Sequence, residues 1–273
     1  MKHFVSILLI LLVSPLSSQS TIDGKIIDAS SNENLAYVNI GIVGKNIGTV
    51  TNLEGKFSLP YNPDSLDFPV RVSMIGYDSK EFTVGAFRKL MSANGTLTLS
   101  PASYEMDEVV ISSKERKTKV LGNKTTSKAI VAGFTTNMLG NELGTKIKIK
   151  KSPTYLNRFN VSIAENGFDN LKFRLNFYSI KKGLPDKPIN RDNIIVETNI
   201  KEGVLTVDLE PYNIVVQDDF YVTLEWIEDL GNVEQLRFSA GFLGKTTVVR
   251  SASQADWQKA GKVSIGINVE VEY

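Results

Sequence analysis

Ile22–Asp28 reads IDGKIID, Leu35–Ile42 reads LAYVNIGI and Gly48–Leu59 reads GTVTNLEGKFSL, so apolar and polar residues alternate through three consecutive stretches. Alternation with a period of two is typical of β-strands that bury one face. In Asn52–Gly55 the glycine can adopt a positive φ angle and the asparagine can bond to its own backbone, which predicts a tight turn. These stretches therefore predict a sheet domain with short connections.

The same pattern continues to residue 101 and predicts seven short strands. Strands that follow one another at intervals of about ten residues are typical of a β-sandwich. One helical turn is predicted at Ala86–Met91. The predicted strands are Thr21–Ile27, Ala36–Val43, Gly48–Thr51, Lys56–Pro60, Val70–Met74, Lys80–Val84 and Thr96–Leu99.

The alternating stretches, together with Ser73–Tyr77 (SMIGY), in which a glycine precedes an aromatic at a strand end, carry a family resemblance. Thr21–Pro101 resembles the carboxypeptidase regulatory-like domain, a transthyretin-like β-sandwich common in exported proteins of Bacteroidetes-type bacteria. The resemblance implies a seven-stranded transthyretin/Ig-like sandwich and an exported protein. It implies no activity, and Tyr77 is expected to be a packing residue.

Length and composition allow two domains with separate cores in the 273 residues. The 31 basic and 30 acidic residues nearly cancel, so the net charge gives no attraction to nucleic acid. There is no cysteine, and the single histidine is His3. Disulfides and thiolate metal sites are therefore excluded.

The first 19 residues are predicted to be a signal peptide. Lys2 precedes a short apolar run, and small residues follow it at Ser14–Ser20. An apolar run of this length is too short for an ordinary membrane span. We therefore expect an exported protein, located in the periplasm, in the outer membrane or at the cell surface, whose mature chain contains no histidine.

The chain is predicted to divide into residues 20–111, a linker at 112–128 and a second domain at 129–273. Tyr104–Ile111 reads YEMDEVVI and resembles the segment that follows this domain in TonB-dependent receptors, where it can pair with a partner as an added strand. The favoured interpretation is structural: the segment is the last strand of the first domain or an extended lead into the linker. Lysines in the linker could contact anionic lipid, giving peripheral membrane association, although solvated linkers are commoner.

The second domain is predicted to be a jelly-roll-like β-sandwich, which makes the whole chain all-β. Phe173–Pro188 and Phe220–Trp226 resemble jelly-roll modules of secreted adhesin-type and carbohydrate-binding proteins. The predicted strands are Thr145–Lys150, Leu156–Ala164, Leu171–Ile180, Asn193–Thr198, Val204–Leu209, Asp219–Ile227, Gln235–Ala240, Thr246–Arg250 and Lys262–Val271.

Catalysis is not expected. Zinc peptidases and serine hydrolases rely on histidine, which the mature chain would lack. A carboxylate pair could come from Asp218, Asp219 or Glu225, but adjacent strand residues point to opposite faces. No cofactor and no specific metal site are predicted. A structural calcium ion held by loop acids is possible in a module of this kind; the candidate acids are Asp186, Asp192, Asp208, Asp218 and Asp219.

Exposed aromatic residues are the candidates for ligand binding, because aromatic faces stack on sugar rings and anchor protein interfaces. The candidates are Trp257, Tyr178 and Tyr212. Trp226 shares a strand face with Phe220, Val222 and Leu224 and is therefore expected in the core.

Two functions are compatible with these patterns. The first is a non-enzymatic cell-envelope protein whose second domain binds a glycan or an envelope protein. The second is an outer-membrane component, either a small β-barrel or an accessory of a TonB-dependent transport system. It is suggested by the alternating residues 263–273, which end in the aromatic Tyr273.

Overall fold

The computed structural model describes residues 20–103, 116–134, 136–231, 236–242 and 247–273. The predicted signal peptide and the segment Tyr104–Ile111 lie outside the described residues. Within these ranges, no helix has both the length and the apolar character that a membrane span requires.

Two sheets with a core between them form the first module. The first sheet has the order β4-β1-β7, with β1 antiparallel to β4 and parallel to β7, and the second has the order β3-β2-β5-β6. All seven predicted strands are present, and the predicted sandwich is confirmed. The strands are β1 Ser20–Asp28, β2 Asn39–Ile42, β3 Gly48–Val50, β4 Lys56–Tyr61, β5 Pro69–Ser73, β6 Lys80–Thr83 and β7 Thr96–Leu99.

Local chemistry explains the turn and the helix of this module. Oδ1 of Asn52 accepts hydrogen bonds from the backbone N–H groups of Glu54 and Lys56, and Gly55 has a φ of 73°. The predicted turn is thus confirmed. The predicted helical turn is longer than expected: it is the helix α1 (Val84–Asn94), which buries Val84, Phe87 and Met91 along one face of the helix.

Two larger sheets form the second module. Sheet I has the order β13-β12-β17-β10-β19-β20, with β14 paired to β12, and sheet II has the order β21-β18-β11-β22-β8, with β15 and β16 on β11 and β9 on β18. Their strands are β8 Thr118–Gly122, β9 Val131–Gly133, β10 Glu142–Ile147, β11 Thr154–Asn166, β12 Leu171–Lys181, β13 Leu184–Pro188, β14 Ile194–Thr198, β15 Gly203–Asp208, β16 Val215–Val216, β17 Phe220–Trp226, β18 Leu236–Gly241, β19 Thr247–Arg250, β20 Gln258–Lys259, β21 Ser264–Ile265 and β22 Ile267–Glu272.

Several element boundaries differ from the sequence prediction. The strand predicted at Thr145–Lys150 begins three residues earlier, as β10, and ends at Ile147. It ends there because Ile149 donates its N–H to the side chain of Asp219 rather than to a neighbouring strand. The strand β13 was not predicted, and its two prolines are tolerated because it lies at a sheet edge. Within the predicted linker, β8 pairs with β22 and extends sheet II.

The core of the second module lies between sheets I and II. Phe220, Val222, Leu224 and Trp226 point into it, as predicted. The apolar residues of β22, among them Val269 and Val271, point into the same core. Every residue of β17 is buried, including those on the opposite face, so sheet I is also covered on its outer side.

Residues 251–257 connect β19 to β20 and pack against the first module. Oγ of Ser253 donates to Oδ1 of Asn39 over 2.9 Å, and Nε2 of Gln254 donates to Oγ of Ser73 over 2.9 Å. The approach is close enough to require glycine, since a Cβ placed on Gly41 would lie 2.1 Å from the carbonyl oxygen of Ser253. The two modules therefore contact each other directly.

A second contact between the two modules is made by a side chain of sheet I. Nη1 of Arg174 donates to the carbonyl oxygen of Tyr37 over 2.7 Å. Tyr37 has a φ of 63°, a left-handed conformation that is uncommon for a bulky residue. The strained backbone at Tyr37 thus lies at a contact between the modules.

Candidate functional site

The outer face of sheet I carries a row of polar side chains where an exposed surface would be expected. Because side chains alternate along a strand, Arg174, Asn176 and Tyr178 of β12 point away from the core that Phe173 and Phe177 fill. The neighbouring strands add Glu142, Thr223, Glu225 and Arg250 to this face, and all seven residues are buried.

Two arginines and two glutamates form the centre of this row. Nε of Arg174 lies 2.9 Å from Oε2 of Glu225, and Nη2 of Arg250 lies 2.5 Å from Oε2 of Glu142. Asn176 links the pairs, because its Nδ2 donates to Glu142 over 2.9 Å and to Glu225 over 2.8 Å. We refer to Glu142, Arg174, Asn176, Glu225 and Arg250 as the polar cluster.

The two glutamates of the polar cluster have opposite pKa shifts. Burial raises the pKa of Glu142, and the neighbouring Glu225 adds to this, although Arg250 opposes it. Burial also acts to raise the pKa of Glu225, but Arg174 and Arg250 outweigh it and the net shift is downward. Glu225 is therefore the carboxylate that keeps its charge most firmly.

The polar cluster contains four buried atoms that have no hydrogen-bond partner among the described residues. Two are donors, Nη2 of Arg174 and Nε of Arg250, and two are acceptors, Oδ1 of Asn176 and Oε1 of Glu225. The last atom lies 3.8 Å from Nη2 of Arg250, which is beyond hydrogen-bond distance. Buried polar groups are normally satisfied, so four unsatisfied atoms in one place are an unusual feature of this cluster.

A cleft of 750 Å³ opens above the polar cluster, between the two modules. Arg174, Asn176 and Arg250 form part of its floor. The first module contributes one wall with β5 and the turn after it, and residues 185–191 and 254–257 of the second module contribute the other. A volume of this size is within the range of small-molecule sites.

Aromatic side chains stand beside this floor. The ring of Trp257 meets that of Tyr178 edge-on, with 5.7 Å between the ring centroids, and the guanidinium of Arg250 lies 5.0 Å from the centroid of Trp257. Trp257 is half-buried, whereas Tyr178 is buried. Burial also raises the pKa of the Tyr178 hydroxyl, and the charge of Glu142 adds to this effect, so the phenol stays protonated.

The structure brings two of the three predicted site residues together. Trp257 and Tyr178 both line the cleft, whereas Tyr212 lies in the 3₁₀ helix Glu210–Tyr212 and packs against the core of the second module. Sequence reasoning missed the arginines and Asn176. A charged residue between the buried Phe173 and Leu175 was the available signal for Arg174, because an ionisable group in so apolar a strand needs a partner.

The predicted acidic clusters do not converge. Asp219 accepts from the N–H of Ile149 and pairs with Lys146 at 3.0 Å, while Glu225 belongs to the polar cluster. In the part of the chain that the structure describes, no three His, Cys, Asp or Glu side chains are grouped so that they could hold a metal ion.

Comparison with known proteins assigns the first module. Residues 22–111, a third of the chain, match the family model of the CarboxypepD_reg-like domain, which confirms the resemblance found in the sequence. No curated protein matches the chain at a significant level. The chain thus carries, at residues 22–111, a CarboxypepD_reg-like domain, which is a non-catalytic β-sandwich module.

Proposed function

We propose that this protein is a non-enzymatic binding protein of the cell envelope and that the cleft between its two modules binds a carbohydrate. The observation that carries the proposal is the combination, within one cleft, of an aromatic ring at Trp257 and a floor of buried hydrogen-bonding side chains. Aromatic faces pack on the C–H faces of sugar rings, and fixed polar groups orient the hydroxyls.

The shape of the site favours a small ligand over a protein surface. Protein partners usually bury a broad patch around aromatic and arginine anchors. Here Trp257 stands inside a concave cleft beside Arg250, so a ligand must enter between the modules to reach both. A sugar residue fits such a space.

The position of the carboxylates favours binding over hydrolysis. A general acid or base must reach the atom to which it transfers a proton. Glu142 and Glu225 are fully buried, and three of their four oxygens already accept hydrogen bonds, from side chains that include Arg174 and Asn176. We therefore propose that both glutamates hold the floor in place rather than act on a substrate.

The proposed location rests on the sequence at Met1–Gln19, which has the pattern of a signal peptide. It can be tested by expressing the full chain in a Gram-negative host and determining the N-terminus of the product by mass spectrometry. Cleavage near residue 19 and recovery from the envelope fraction are expected. An intact N-terminus in the cytoplasmic fraction would contradict export.

Tryptophan fluorescence tests the binding proposal directly, because the chain has only two tryptophans. Trp226 is 2% exposed in the core, whereas Trp257 lines the cleft. We expect a neutral oligosaccharide panel to contain at least one member that changes the fluorescence saturably. The change should be absent in Trp257→Ala.

Phe242→Ala is the matched control, since Phe242 is an exposed aromatic, 64% accessible, that does not line the cleft. It should bind the same oligosaccharide as the wild type does. Equal loss of binding in both variants, or no response to any sugar in the panel, would overturn the carbohydrate proposal. A protein partner would then be favoured.

A further inference from the structure

We propose that one end of the second module is a docking surface for a membrane that carries anionic lipid headgroups. This end, which we call the basic end, comprises residues 116–118, 146–155, 179–183, 217–221 and 272–273. It is separate from the carbohydrate site, because none of its residues lines the cleft or belongs to the polar cluster. Docking there requires only that the protein reaches a membrane, as the proposed envelope location allows.

Strand pairing brings the segments of the basic end together. In sheet I, Ile147 at the end of β10 pairs with Phe220 at the start of β17. The hydroxyl of Tyr221 donates to the carbonyl oxygen of Gly183, in the β12–β13 hairpin, over 2.9 Å. Residues 148–153 then lead directly to the start of β11 in sheet II. The hairpin, the end of β10 and the start of β11 therefore lie at the same end of the module.

The basic end carries far more cations than acids. It contains eight lysines and arginines, and its acids are three, Asp218, Asp219 and Glu272. Asp219 is already paired with Lys146, at 3.0 Å. The exposed lysines that form no ion pair with a described residue are Lys117, Lys148, Lys150, Lys151, Lys181 and Lys182. This end therefore presents a positive surface to the solvent.

The opposite end of the module has the reverse balance. Six acids and two cations lie in residues 165–172, 197–202 and 227–231. Both of these cations are ion-paired, Lys172 with Glu197 at 2.9 Å and Lys201 with Asp169 at 2.9 Å. The near-zero net charge of the whole chain thus conceals a second module with two ends of opposite charge.

The distance between the two ends keeps their charges from cancelling. The strand β12 runs from one end to the other, and its eleven residues span about 35 Å at about 3.3 Å per residue. The Debye length at physiological salt is about 8 Å, so the acids of the far end are screened from anything that approaches the basic end. An anionic surface that meets the basic end is therefore attracted to it.

Aromatic rings stand among the cations of the basic end. The guanidinium of Arg116 lies 3.6 Å from the centroid of the Tyr155 ring. Nζ of Lys151 lies 5.4 Å from the centroid of the Tyr273 ring, and the backbone of Tyr273 exchanges hydrogen bonds with that of Lys117. Both tyrosines are half-buried. Tyrosine beside lysine and arginine is typical of the membrane–water interface, so these rings favour a lipid surface over a fully hydrated acidic polymer.

The distribution of the lysines also favours a membrane. They come from the start of β8, the β10–β11 connection and the β12–β13 hairpin, which belong to both sheets. The charges therefore cover the end of the sandwich rather than follow a single strand, and a plane of headgroups can contact all three segments at once. Each lysine that reaches an anionic membrane raises the partition coefficient by about fivefold.

Co-sedimentation with lipid vesicles tests the proposal. The protein is expressed from Ser20, so that every described residue is kept and the apolar run of the predicted signal peptide cannot itself bind lipid. Vesicles of phosphatidylcholine alone are compared with vesicles that also contain the anionic phosphatidylglycerol. We expect binding to the anionic vesicles to be at least about tenfold tighter at low salt and to weaken steadily as salt rises.

A charge-reversal variant assigns the effect to the basic end. Lys150→Glu combined with Lys181→Glu changes two exposed lysines on different segments, so the affinity for anionic vesicles should fall by about tenfold or more. The control is Lys56→Glu combined with Lys89→Glu, which makes the same change in net charge at two exposed lysines of the first module. It should bind as the wild type does, and circular dichroism and urea unfolding confirm that both variants fold.

The outcomes distinguish the membrane from other partners. Equal binding to neutral and anionic vesicles, or equal loss of binding in the two variants, would overturn the proposal. Binding to a soluble polyanion such as dextran sulfate, without binding to anionic vesicles, would also overturn it and favour an acidic polysaccharide. The oligosaccharide response of Trp257 is measured in the same variants and should be unchanged, so failure at the basic end is distinguishable from failure of the carbohydrate site.

Discussion

Nε of Arg174 lies 2.9 Å from Oε2 of Glu225, and the two side chains are 1% and 0% exposed. Removing one partner of a buried ion pair leaves the other charge uncompensated, which typically costs about 3–5 kcal/mol. We therefore expect Arg174→Met to lower the free energy of unfolding by about this amount, measured by urea denaturation. The variant also loses the hydrogen bond to the carbonyl of Tyr37.

The control for this variant is Arg158→Met. Arg158 pairs with Glu270 at 3.2 Å, but its side chain is 53% exposed. Solvent-exposed pairs contribute about 0–1 kcal/mol, so the change should be small. Similar losses in the two variants would contradict a special role for the buried pair.

Gly41 is expected to tolerate no side chain. A Cβ at this position would lie 2.1 Å from the carbonyl oxygen of Ser253, so Gly41→Ala must push residues 251–257 away from the first module. Overpacking of this kind typically costs about 1–3 kcal/mol. Urea denaturation should show the loss, and small-angle scattering should show a larger radius of gyration.

Gly241→Ala is the matched comparison, because nothing lies within 4 Å of the Cβ it would add. It should leave both the stability and the scattering curve close to those of the wild type. A Gly41→Ala protein with wild-type dimensions would contradict the close contact between the modules.

Trp226 allows packing to be separated from hydrogen bonding. Its ring packs edge-on against Phe134, Phe168 and Phe173, so Trp226→Ala should cost about 3–5 kcal/mol of unfolding free energy. Its indole N–H is buried and has no partner among the described residues. Trp226→Phe keeps aromatic contacts and removes that unsatisfied donor, so thermal and urea unfolding should show a much smaller loss.

If Trp226→Phe proves as damaging as Trp226→Ala, the indole N–H makes a favourable interaction after all. The phenylalanine variant is also useful as a reagent, since its only tryptophan would be Trp257, in the cleft.

Asp28 gives the first module a pH-dependent contribution to stability. Its pKa is lowered from 3.8 by hydrogen bonds from the backbone of Ser31, from the hydroxyl of Tyr77 and from the backbone of Ser30. A lowered pKa in the folded state means that the stabilisation is complete above 3.8 and is lost as pH falls through the lower, folded value. Asp28→Asn should therefore be less stable than the wild type at neutral pH, and the gap should close below 3.8.

Urea denaturation at a series of pH values from neutral to about 3 measures the difference in unfolding free energy between Asp28→Asn and the wild type. A gap that stays constant over the whole series would contradict the assignment. The hydroxyl of Tyr77 allows a second measurement, because burial and the carboxylate of Asp28 raise its pKa to about 12. Ultraviolet titration of Asp28→Asn should show this tyrosine ionising at lower pH.

The fold could be predicted from the sequence largely because the alternation of apolar and polar residues is visible within each strand. Alternation in Phe220–Trp226 identifies the core face without reference to any other residue, and the seven strands of the first module follow in the same way. The sequence did not predict that the opposite face of this strand is covered. Thr223 and Glu225 are covered there by contacts with Glu142, Arg174 and Arg250, which are distant in sequence.

The candidate site was predicted only in its aromatic part. Trp257 stands among polar residues, so its exposure could be inferred from its neighbours, and it does line the cleft. The cleft itself forms only because residues 251–257 pack against Gly41 and its neighbours, more than two hundred positions earlier. No local pattern in one sequence reports such a contact.

The packing of Ser253 against Gly41 and Gly48 also limits how this architecture can be recombined. A related domain grafted in place of the first module would carry its own residues at these two positions, and any side chain there would collide with the 251–257 loop. The first module can therefore be exchanged only for a domain that leaves room for this loop. Glycine at both positions is the simplest mark by which a compatible donor domain could be recognised.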